Sequence, residues 1–379
     1  MKFVLAPDSF KESLSARRAA EAMERGIRAA LPGAEIVLLP VADGGEGTAE
    51  TMVWASGGTL HPVAVTGPLG EPVVARYGVL GDGVTAVVEM AEASGLHLVP
   101  PGSRDPLVTT TYGTGELIRA ALDSGVTRLI VAIGGSATND AGAGALQALG
   151  ARLMDPGGRA IGRGGGGLAG LSSIDMSALD ARLATVEMRV ACDVTTALHG
   201  PEGSSAVFGP QKGATPEMVR RLDENLRHFA EVLRRDTGRD VGTLVGGGAA
   251  GGLGAGLAAC GGTLVPGIDL VLDALGFDRA IEGADVVFTG EGRIDSQTPR
   301  GKVIAGVVRR AGQRRVPVVA FAGSLSPGYE SLFSRGLVAV QTLLPGPASL
   351  EEALSGAEDN LCRAAEGVAR MIEVFRRPR

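Results

Sequence analysis

The sequence has few of the features that would tie it to nucleic acid, to a membrane or to a disulfide-stabilised fold. Aromatic residues make up 3% of its 379 residues and the net charge is −6, so it offers neither the stacking platforms nor the basic surface of a nucleic-acid-binding protein. Its three cysteines, Cys192, Cys260 and Cys362, are far apart, which predicts reduced thiols and a cytoplasmic protein. No apolar run reaches the roughly 18 residues of a membrane span. Met1 leads directly into a strand pattern, so we expect no signal peptide.

Lysine and histidine are scarce as well. Only four of the 36 basic residues are lysines, and arginine is used wherever a generic positive charge suffices. Lys11, Lys212 and Lys302 each lie in a loop-like segment near glycine, serine or proline. A compact ammonium suits anion binding differently from a planar guanidinium, so we expect at least two of these lysines to contact an anion. The histidines are scattered, which disfavours serine hydrolysis.

The order of predicted elements is typical of an α/β fold with two domains. A strand, a helix, a second strand at 35–41 and a second helix open the chain, and strands alternate with helices again from about residue 268. The stretch 59–90 instead predicts short strands joined by hairpins. We therefore expect a discontinuous domain, residues 1–60 plus 265–379, with a flavodoxin- or Rossmann-like three-layer parallel sheet. An inserted α/β domain with a mixed sheet would cover 61–264.

Towards the end of the chain the predicted elements are as follows: helix 268–282, strand 285–289, helix 302–312, strand 316–322, helix 328–335, strand 337–341 and helix 349–374. Strand 285–289 is expected to break at Gly290. The loop after it would carry Glu291, Arg293 and Asp295, and Lys302 would begin the next helix. Ligands of open α/β sheets bind beyond the carboxyl ends of the strands, where helix N-termini face anions.

Similar polar loops follow other predicted strands. Their residues are Asp8, Ser9 and Lys11; Asp43, Glu46 and Thr48; Ser136, Asn139 and Asp140; Asp193; and Gln211 and Lys212. Phosphoryl transfer requires Mg²⁺ on carboxylates, cations on the transferring group, backbone amides around the nucleotide phosphates and a group that orients the attacking hydroxyl. Glycine-lined acidic loops with isolated lysines supply this set.

Two other functions remain open from the residues alone. Gly246, Gly248 and Gly251 match GxGxxG, with Asp269 beyond, which would suit an NAD(P)-binding oxidoreductase of a small hydroxy acid. The segment before this match is weak as a strand, and chance matches are expected in a chain with 59 glycines. A non-catalytic protein that binds a small carboxylate would keep the lysines without needing carboxylates from three loops.

Eight motifs follow one another along nearly the whole chain: APDSFKESLSA (6–16), ADGGEGT (42–48), TTYGTGE (110–116), GGSATNDAGAG (134–144), ACDV (191–194), GPQKGAT (209–215), GAAGGLGAG (248–256) and TGEGRIDSQT with GK (289–302). In this order they resemble the bacterial family 1 glycerate kinases. The resemblance implies phosphorylation of glycerate with ATP and Mg²⁺, generally to 2-phosphoglycerate, and a site in the cleft of a two-domain α/β fold. Thr196-Ala197 stands where the family usually has Asn-Pro.

We assign the roles within these motifs from the chemistry of their side chains. We predict catalytic roles for Asp193, Asp295, Lys302 and Lys11; substrate binding by Asp8, Ser9, Lys11, Asp43, Glu46, Arg293 and Lys212; nucleotide binding by Gly134, Gly135, Ser136, Asn139, Asp140 and Gly290; and Mg²⁺ binding by Asp193 and Glu291. Glycerate is the expected partner of a monomer or homodimer, with no nucleic acid and no membrane. The hydroxyl phosphorylated, the enantiomer and the acid acting as base stay open.

Overall fold

A computed structural model describes residues 1–45, 47–300 and 303–376. The strands are β1 Lys2–Leu5, β2 Glu35–Leu38, β3 Thr59–Thr66, β4 Pro72–Val79, β5 Thr85–Glu89, β6 Arg128–Ala132, β7 Arg152–Met154, β8 Ser173–Asp175, β9 Glu187–Ala191, β10 Thr263–Val265, β11 Val286–Ile294, β12 Val318–Leu325 and β13 Leu337–Thr342. The helices are α1 Ala16–Ala30, α2 Thr48–Ser56, α3 Met90–Ser94, α4 Tyr112–Asp123, α5 Ala143–Ala148, α6 Ser204–Phe208, α7 Pro216–Thr237, α8 Leu253–Ala259, α9 Gly267–Ala274, α10 Phe277–Ala280, α11 Val303–Gln313, α12 Leu350–Ser355 and α13 Ala357–Arg376.

The chain divides into two compact units. Unit 1 consists of Met1–Asp43, Trp54–Ser56 and Ile268–Arg379, and unit 2 consists of Gly44–Val53 and Gly57–Gly267. The sequence predicts domain limits of 1–60 plus 265–379 for one domain and 61–264 for the other. These limits stay a prediction.

Unit 1 is built on a parallel sheet. Its five strands lie in the order β13-β12-β11-β1-β2, and every neighbouring pair is parallel. Numbered within the unit alone, this is the flavodoxin-like order, whose strand sequence reverses between β1 and β11. The parallel-sheet prediction is confirmed.

Helices cover both faces of this sheet, which gives three layers. Because side chains alternate along a strand, Phe3 and Phe288 point to one face, where their rings meet edge to face with centroids 5.4 Å apart. Helices α1 and α13 pack on each other and share this core. Helix α11 packs on β11 and β12. Ser15 caps α1 by accepting from the amide of Arg18.

One strand is longer than predicted. β11 does not break at Gly290 but runs to Ile294, paired with β12 through Ile294 opposite Leu325. Glu291 and Arg293 therefore lie on a strand and not on a loop. The prediction failed because glycine is a poor strand former on its own, whereas the pairing with β12 supplies hydrogen bonds that local sequence does not reveal.

Three helix predictions in the same half of the chain are also corrected. Residues 268–282 form two helices, α9 and α10, because Gly276 adopts a left-handed conformation (φ +65°) between them. Residues 349–374 likewise form α12 and α13, with Gly356 as the C-cap of α12. The expected helix 328–335 is a 3-10 segment, Glu330–Arg335.

Unit 2 is built on a mixed sheet, as predicted. Its six strands lie in the order β10-β9-β6-β5-β4-β3. Strands β3, β4 and β5 are antiparallel, as the hairpin signals indicated, and β5, β6, β9 and β10 are parallel. A continuous apolar core lies beneath these strands and includes buried faces of α4, α5, α7 and α8.

Among the described helices, none is both long enough and apolar enough to cross a membrane. The three cysteines, all within the described residues, are free thiols.

Candidate active site

The first group of polar residues lies at the carboxyl edge of the unit 1 sheet. Asp8 follows β1, Asp43 follows β2 and Glu291 is on β11, and these three strands are neighbours. The ladders extend past the formal strand ends. Asp8 donates its amide to the carbonyl of Gly290 (2.9 Å), and Val41 donates its amide to the carbonyl of Pro7 (3.0 Å). Asp8 therefore stands at the point where the strand order reverses, which is where ligands bind in such sheets.

The electrostatics of this edge are unusual. Burial, together with the negative charges of Asp43 and Glu291, raises the pKa of Asp8 to about 7, against the hydrogen bond from the Ser9 amide (2.6 Å), which favours the charged form. A carboxyl group whose neighbours are acids keeps its proton because like charges repel. This edge therefore carries an excess of negative charge, which a bound cation would neutralise.

Lys11 lies on a pinched loop above β11. Phe10 and Leu14 exchange backbone hydrogen bonds of 2.8 and 2.9 Å, which close the loop, and Lys11 at its tip is exposed. The loop is anchored by Phe10, which is 1% exposed. It can lie so close because β11 has glycines there: a methyl group at Gly290 would come within 2.9 Å of the Phe10 ring, and one at Gly292 within 3.1 Å of the Lys11 nitrogen.

The remaining acids of the unit 1 edge are held by local hydrogen bonds. Glu291 is 6% exposed, and its Oε1 accepts from the hydroxyl of Thr298 at 2.6 Å. Asp295 closes the turn after β11, because its Oδ1 accepts from the amide of Gln297 at 2.8 Å. Arg293 is exposed, with its Nε 3.2 Å from Asp295 Oδ2. Lys302 and Glu46, both predicted as site residues, lie outside the described residues.

A second group of polar residues lies at the carboxyl edge of the unit 2 sheet. Loops after β6 and β9 meet there with the segment that precedes α2. A methyl group at Gly134 would lie 3.2 Å from the Cα of Gly45, and one at Gly44 would lie 2.9 Å from the Cβ of Ala191. Glycine at these positions lets three backbone segments come together.

The loop after β6 divides into an exposed and a buried part. Gly134 and Gly135 are exposed, and Gly135 has a positive φ of 74°. Ser136 is 8% exposed, and Asn139 and Asp140 are completely buried. Of the predicted nucleotide-binding residues in this loop, the two glycines thus offer backbone amides to solvent, while the side chains that follow are turned into the protein.

Asp140 holds the buried half of this loop together. Its carboxylate accepts hydrogen bonds from the Thr111 amide and hydroxyl (both 2.9 Å), from the Gly142 amide (3.1 Å) and from the Gly144 amide (3.3 Å). Burial raises its pKa, and these donors oppose that effect by stabilising the charged form. Asp140 therefore shapes the loop and the start of α5.

Lys212 ties a second segment to the same loop. It is 1% exposed, and its Nζ donates to Ser136 Oγ and to the carbonyl of Thr138, both at 2.7 Å. Burial lowers the pKa of Lys212 to about 7, with the nearby carboxylate of Asp140 acting in the opposite direction. The two hydrogen bonds of the Lys212 ammonium thus go to groups inside the protein, whereas the sequence predicted that Lys212 binds substrate.

Asp193 follows β9 and is exposed. Its Oδ1 accepts from the amide of Gly267, the first residue of α9, at 2.8 Å. A carboxylate at a helix start is a stabilising cap, and this contact fixes the direction of the side chain. Thr196, which departs from the family motif, accepts from the amide of Gly248 (3.0 Å) through its backbone carbonyl.

The GxGxxG match does not form a dinucleotide-binding turn. The residues before it, 241–245, form turns and no strand. Gly248 and Gly251 instead allow close packing, since methyl groups there would lie 2.0 Å from the Ala197 carbonyl and 1.9 Å from the Thr138 carbonyl. The oxidoreductase alternative therefore loses the motif on which it rested.

Sequence reasoning missed Glu89, the last residue of β5. It is 4% exposed and accepts hydrogen bonds from the amides of Gly47 and Ala49 at the start of α2. The available signal was an acid that directly follows the apolar run 86–88 in the strand Thr85–Glu89. Across the described part of the chain, no three His, Cys, Asp or Glu residues are placed to hold a metal ion by themselves.

Taken together, fold and site define an α/β protein with polar, glycine-lined loops at the carboxyl ends of parallel strands. A model of the glycerate kinase family matches residues 3–373. The chain is 53% identical over 375 residues to "Glycerate kinase" of Bacillus subtilis (strain 168), covering 99% of this chain and 98% of that protein. It is 52% identical over 375 residues to "Glycerate 2-kinase" of Escherichia coli (strain K12), covering 99% of this chain and 98% of that one.

A solved structure agrees in fold. A crystal structure of a protein from Salmonella typhimurium LT2 superposes with a TM-score of 0.92 at 53% identity and covers 100% of both chains. The chain belongs to the glycerate kinase family, so the resemblance seen in its motifs is confirmed.

Proposed function

We propose that this protein transfers the γ-phosphoryl group of ATP to a hydroxyl of glycerate, with Mg²⁺, and that the product is 2-phosphoglycerate. The observation that carries the proposal is the identity of 52–53% over nearly the full chain to relatives named for this activity. The 2-phosphoglycerate product follows the relative whose name specifies the 2-kinase. Cytoplasmic location and a monomeric or homodimeric state stay predictions.

Unit 1 supplies the groups that meet the substrate and the transferring phosphoryl in this proposal. Asp8, Ser9, Asp43, Glu46 and Arg293 bind glycerate by hydrogen bonds to its hydroxyls and by charge to its carboxylate. Lys11 and Lys302 neutralise the anions, and Asp295 orients the attacking hydroxyl or takes its proton. Lys11 is exposed at the tip of a loop that is anchored above β11, which suits a side chain that must reach a ligand.

Unit 2 supplies the nucleotide contacts. The backbone amides of the exposed Gly134 and Gly135 meet phosphate oxygens, as glycine-rich turns do in other nucleotide-binding proteins. Gly290, also predicted to bind the nucleotide, is instead buried in β11, where its carbonyl accepts from the Asp8 amide. The buried side chains of the residues that follow Gly135 keep the two loop amides in position; these residues are Ser136, Asn139 and Asp140. Lys212 acts in the same way through its bond to Ser136, so its assigned role changes from contact with substrate to support of the loop.

Mg²⁺ fits the residues of these edges. The raised pKa of Asp8 beside Asp43 and Glu291 marks a local excess of negative charge, and Mg²⁺ commonly takes only one or two protein carboxylates, with water and phosphate oxygens completing its shell. Asp193 stays a predicted ligand, and Glu291, at the unit 1 edge, would hold the ion. When bound, it neutralises charge on the nucleotide phosphates.

Acid substitutions test these roles. We expect Asp193→Asn and Asp295→Asn to lower turnover more than Glu291→Gln, because short side chains fixed by the Gly267 and Gln297 amides are held rigidly enough for positioning to matter. Steady-state ADP release at several Mg²⁺ concentrations measures the effect. Turnover near that of the wild type in all three variants, with an unchanged Mg²⁺ dependence, would remove these residues from the mechanism.

The product is identified separately. Phosphorus NMR of a reaction with ATP and glycerate distinguishes phosphate on the secondary hydroxyl from phosphate on the primary one. We expect 2-phosphoglycerate. Accumulation of 3-phosphoglycerate would contradict the proposed position and leave the kinase activity intact.

A further inference from the structure

Glu89 is a buried carboxylate that has no place in the mechanism so far. It ends β5 with 4% of its surface exposed, an environment that is costly for a charge without hydrogen-bond donors. Its Oε2 accepts from the Gly47 amide at 3.0 Å, and its Oε1 accepts from the Ala49 amide. Both oxygens of the carboxylate are thus engaged by backbone N–H groups that lie at the start of α2, where the helix itself provides no acceptor.

The segment that Glu89 holds in place packs against the exposed loop of Gly134 and Gly135. Thr48 Oγ1 donates to the carbonyl of Gly45 at 2.7 Å, which links the helix start to the residues before it. Gly45 in turn lies against Gly134, where a methyl group would approach its Cα to 3.2 Å. A continuous path of contacts therefore runs from Glu89 through the start of α2 and Gly45 to Gly134.

We propose that Glu89 is a positioning residue for phosphoryl transfer. Its two carboxylate oxygens set the backbone at Gly47 and Ala49, and the segment that they hold supports the Gly134–Gly135 amides through Gly45. The inference rests on the proposed function, since it concerns the same nucleotide loop. A carboxylate is required because an amide side chain offers one acceptor and one donor group, so a glutamine would set its NH₂ against a backbone N–H.

If Glu89 only caps α2, its replacement has a different effect from the replacement of a positioning residue. Loss of a cap lowers stability and leaves the kinetics of the folded enzyme unchanged. Loss of positioning changes the kinetic constants of the folded enzyme, the Michaelis constant for ATP above all.

Glu89→Gln is the test variant, and Glu92→Gln is its matched control. Glu92 lies one helical turn away and pairs with Arg76 at 2.9 Å on a partly exposed surface. We expect folded Glu89→Gln to lose at least about tenfold in kcat/KM for ATP, on the order of 1.4 kcal/mol, while Glu92→Gln stays within about twofold. Kinetic constants of the wild type in folded Glu89→Gln would overturn the inference.

A second pair of variants decides the matter if Glu89→Gln does not fold. Thr48→Ala removes the bond to Gly45 without burying or removing a charge, and Thr48→Ser keeps the hydroxyl. We expect a higher KM for ATP in Thr48→Ala and its restoration in Thr48→Ser. Unchanged kinetics in Thr48→Ala would then overturn the inference. A wild-type enzyme without glycerate-dependent ADP release would overturn the proposed function itself, which separates the two failures.

Discussion

At the residue scale, the protonation of Asp8 links the fold to the proposed site. Burial and two neighbouring acids raise its pKa to about 7, from an ordinary value of 3.8. The folded protein therefore holds a proton on Asp8 over a pH range in which the unfolded chain has lost it. Such a group makes the free energy of unfolding decrease as the pH rises from about 4 to about 7. Functional sites commonly carry charge arrangements of this kind at the expense of stability.

Asp8→Asn removes this dependence. In metal-free buffer, we expect the variant to gain stability relative to the wild type as the pH is raised from 5 to 8, while its turnover falls. Urea unfolding at the two pH values measures the change, with Glu351→Gln, an exposed acid on α12, as the control. A stability difference between Asp8→Asn and the wild type that is the same at both pH values would contradict the raised pKa.

The lysines give a second prediction at this scale. Lys11→Arg and Lys302→Arg keep the positive charge but replace a compact donor with a wider fork. We expect Lys302→Arg to lose at least about tenfold in turnover, on the order of 1.4 kcal/mol, and Lys11→Arg to lose activity as well. Steady-state kinetics with both substrates measure the losses. Wild-type kinetics in both variants would show that the scarcity of lysine was misleading.

The structure places two of the lysines that the sequence singled out in opposite environments. The scarcity of lysine singled out Lys11, and the structure exposes it at a loop tip. The same rule singled out Lys212, which is 1% exposed. Both lysines stand beside glycine, serine or proline, so their local sequences look alike. Lys212 is buried against Ser136 and Thr138, which are more than 70 residues away in the chain. Sequence spacing cannot predict a contact between segments so far apart.

At the element scale, β11 depends on its glycines. A methyl group at Gly290 would lie 2.7 Å from the carbonyl of Phe321 and 2.9 Å from the Phe10 ring, closer than packed atoms approach one another. The strand can pair with β12 and carry the Lys11 loop only because no side chain is present there.

Gly290→Ala is therefore expected to destabilise the protein by about 1–3 kcal/mol, as overpacking does, and to lower turnover by displacing the Lys11 loop. Thermal unfolding and steady-state kinetics measure both effects. Gly346→Ala is the control, because no atom lies within 4 Å of a methyl group there. Equal stability of the two variants would mean that the close approach at Gly290 is not a constraint.

The same strand shows where element prediction reaches its limit. The apolar residues 286–288 predicted the strand, whereas the glycines after them predicted an end that the strand does not have. The hairpin β3–β4 was predictable because its turn residues are local. The continuation of β11 was not, because it depends on β12, whose pairing partner is identified only by the folded sheet.

At the scale of the whole molecule, the fold class was predictable from the alternation of strands and helices. Parallel strands with helices between them favour an α/β sheet, and unit 1 has one in flavodoxin-like order. The same edge of a parallel sheet then collects Asp8, Asp43 and Glu291, which are scattered along the sequence. Glu89 escaped notice because its role lies in its hydrogen bonds to Gly47 and Ala49, and no polar neighbour in the sequence marks it.

The most direct test of the central claim is ADP release that depends on glycerate. The purified protein is assayed with ATP and Mg²⁺ in the presence of glycerate, lactate or glycolate, and again with the metal chelated. We expect ADP formation with glycerate well above that with lactate or glycolate, and its loss on chelation, because phosphoryl transfer requires charge neutralisation on the phosphates. No glycerate-dependent ADP in the presence of Mg²⁺ would contradict the assignment of this protein as a glycerate kinase.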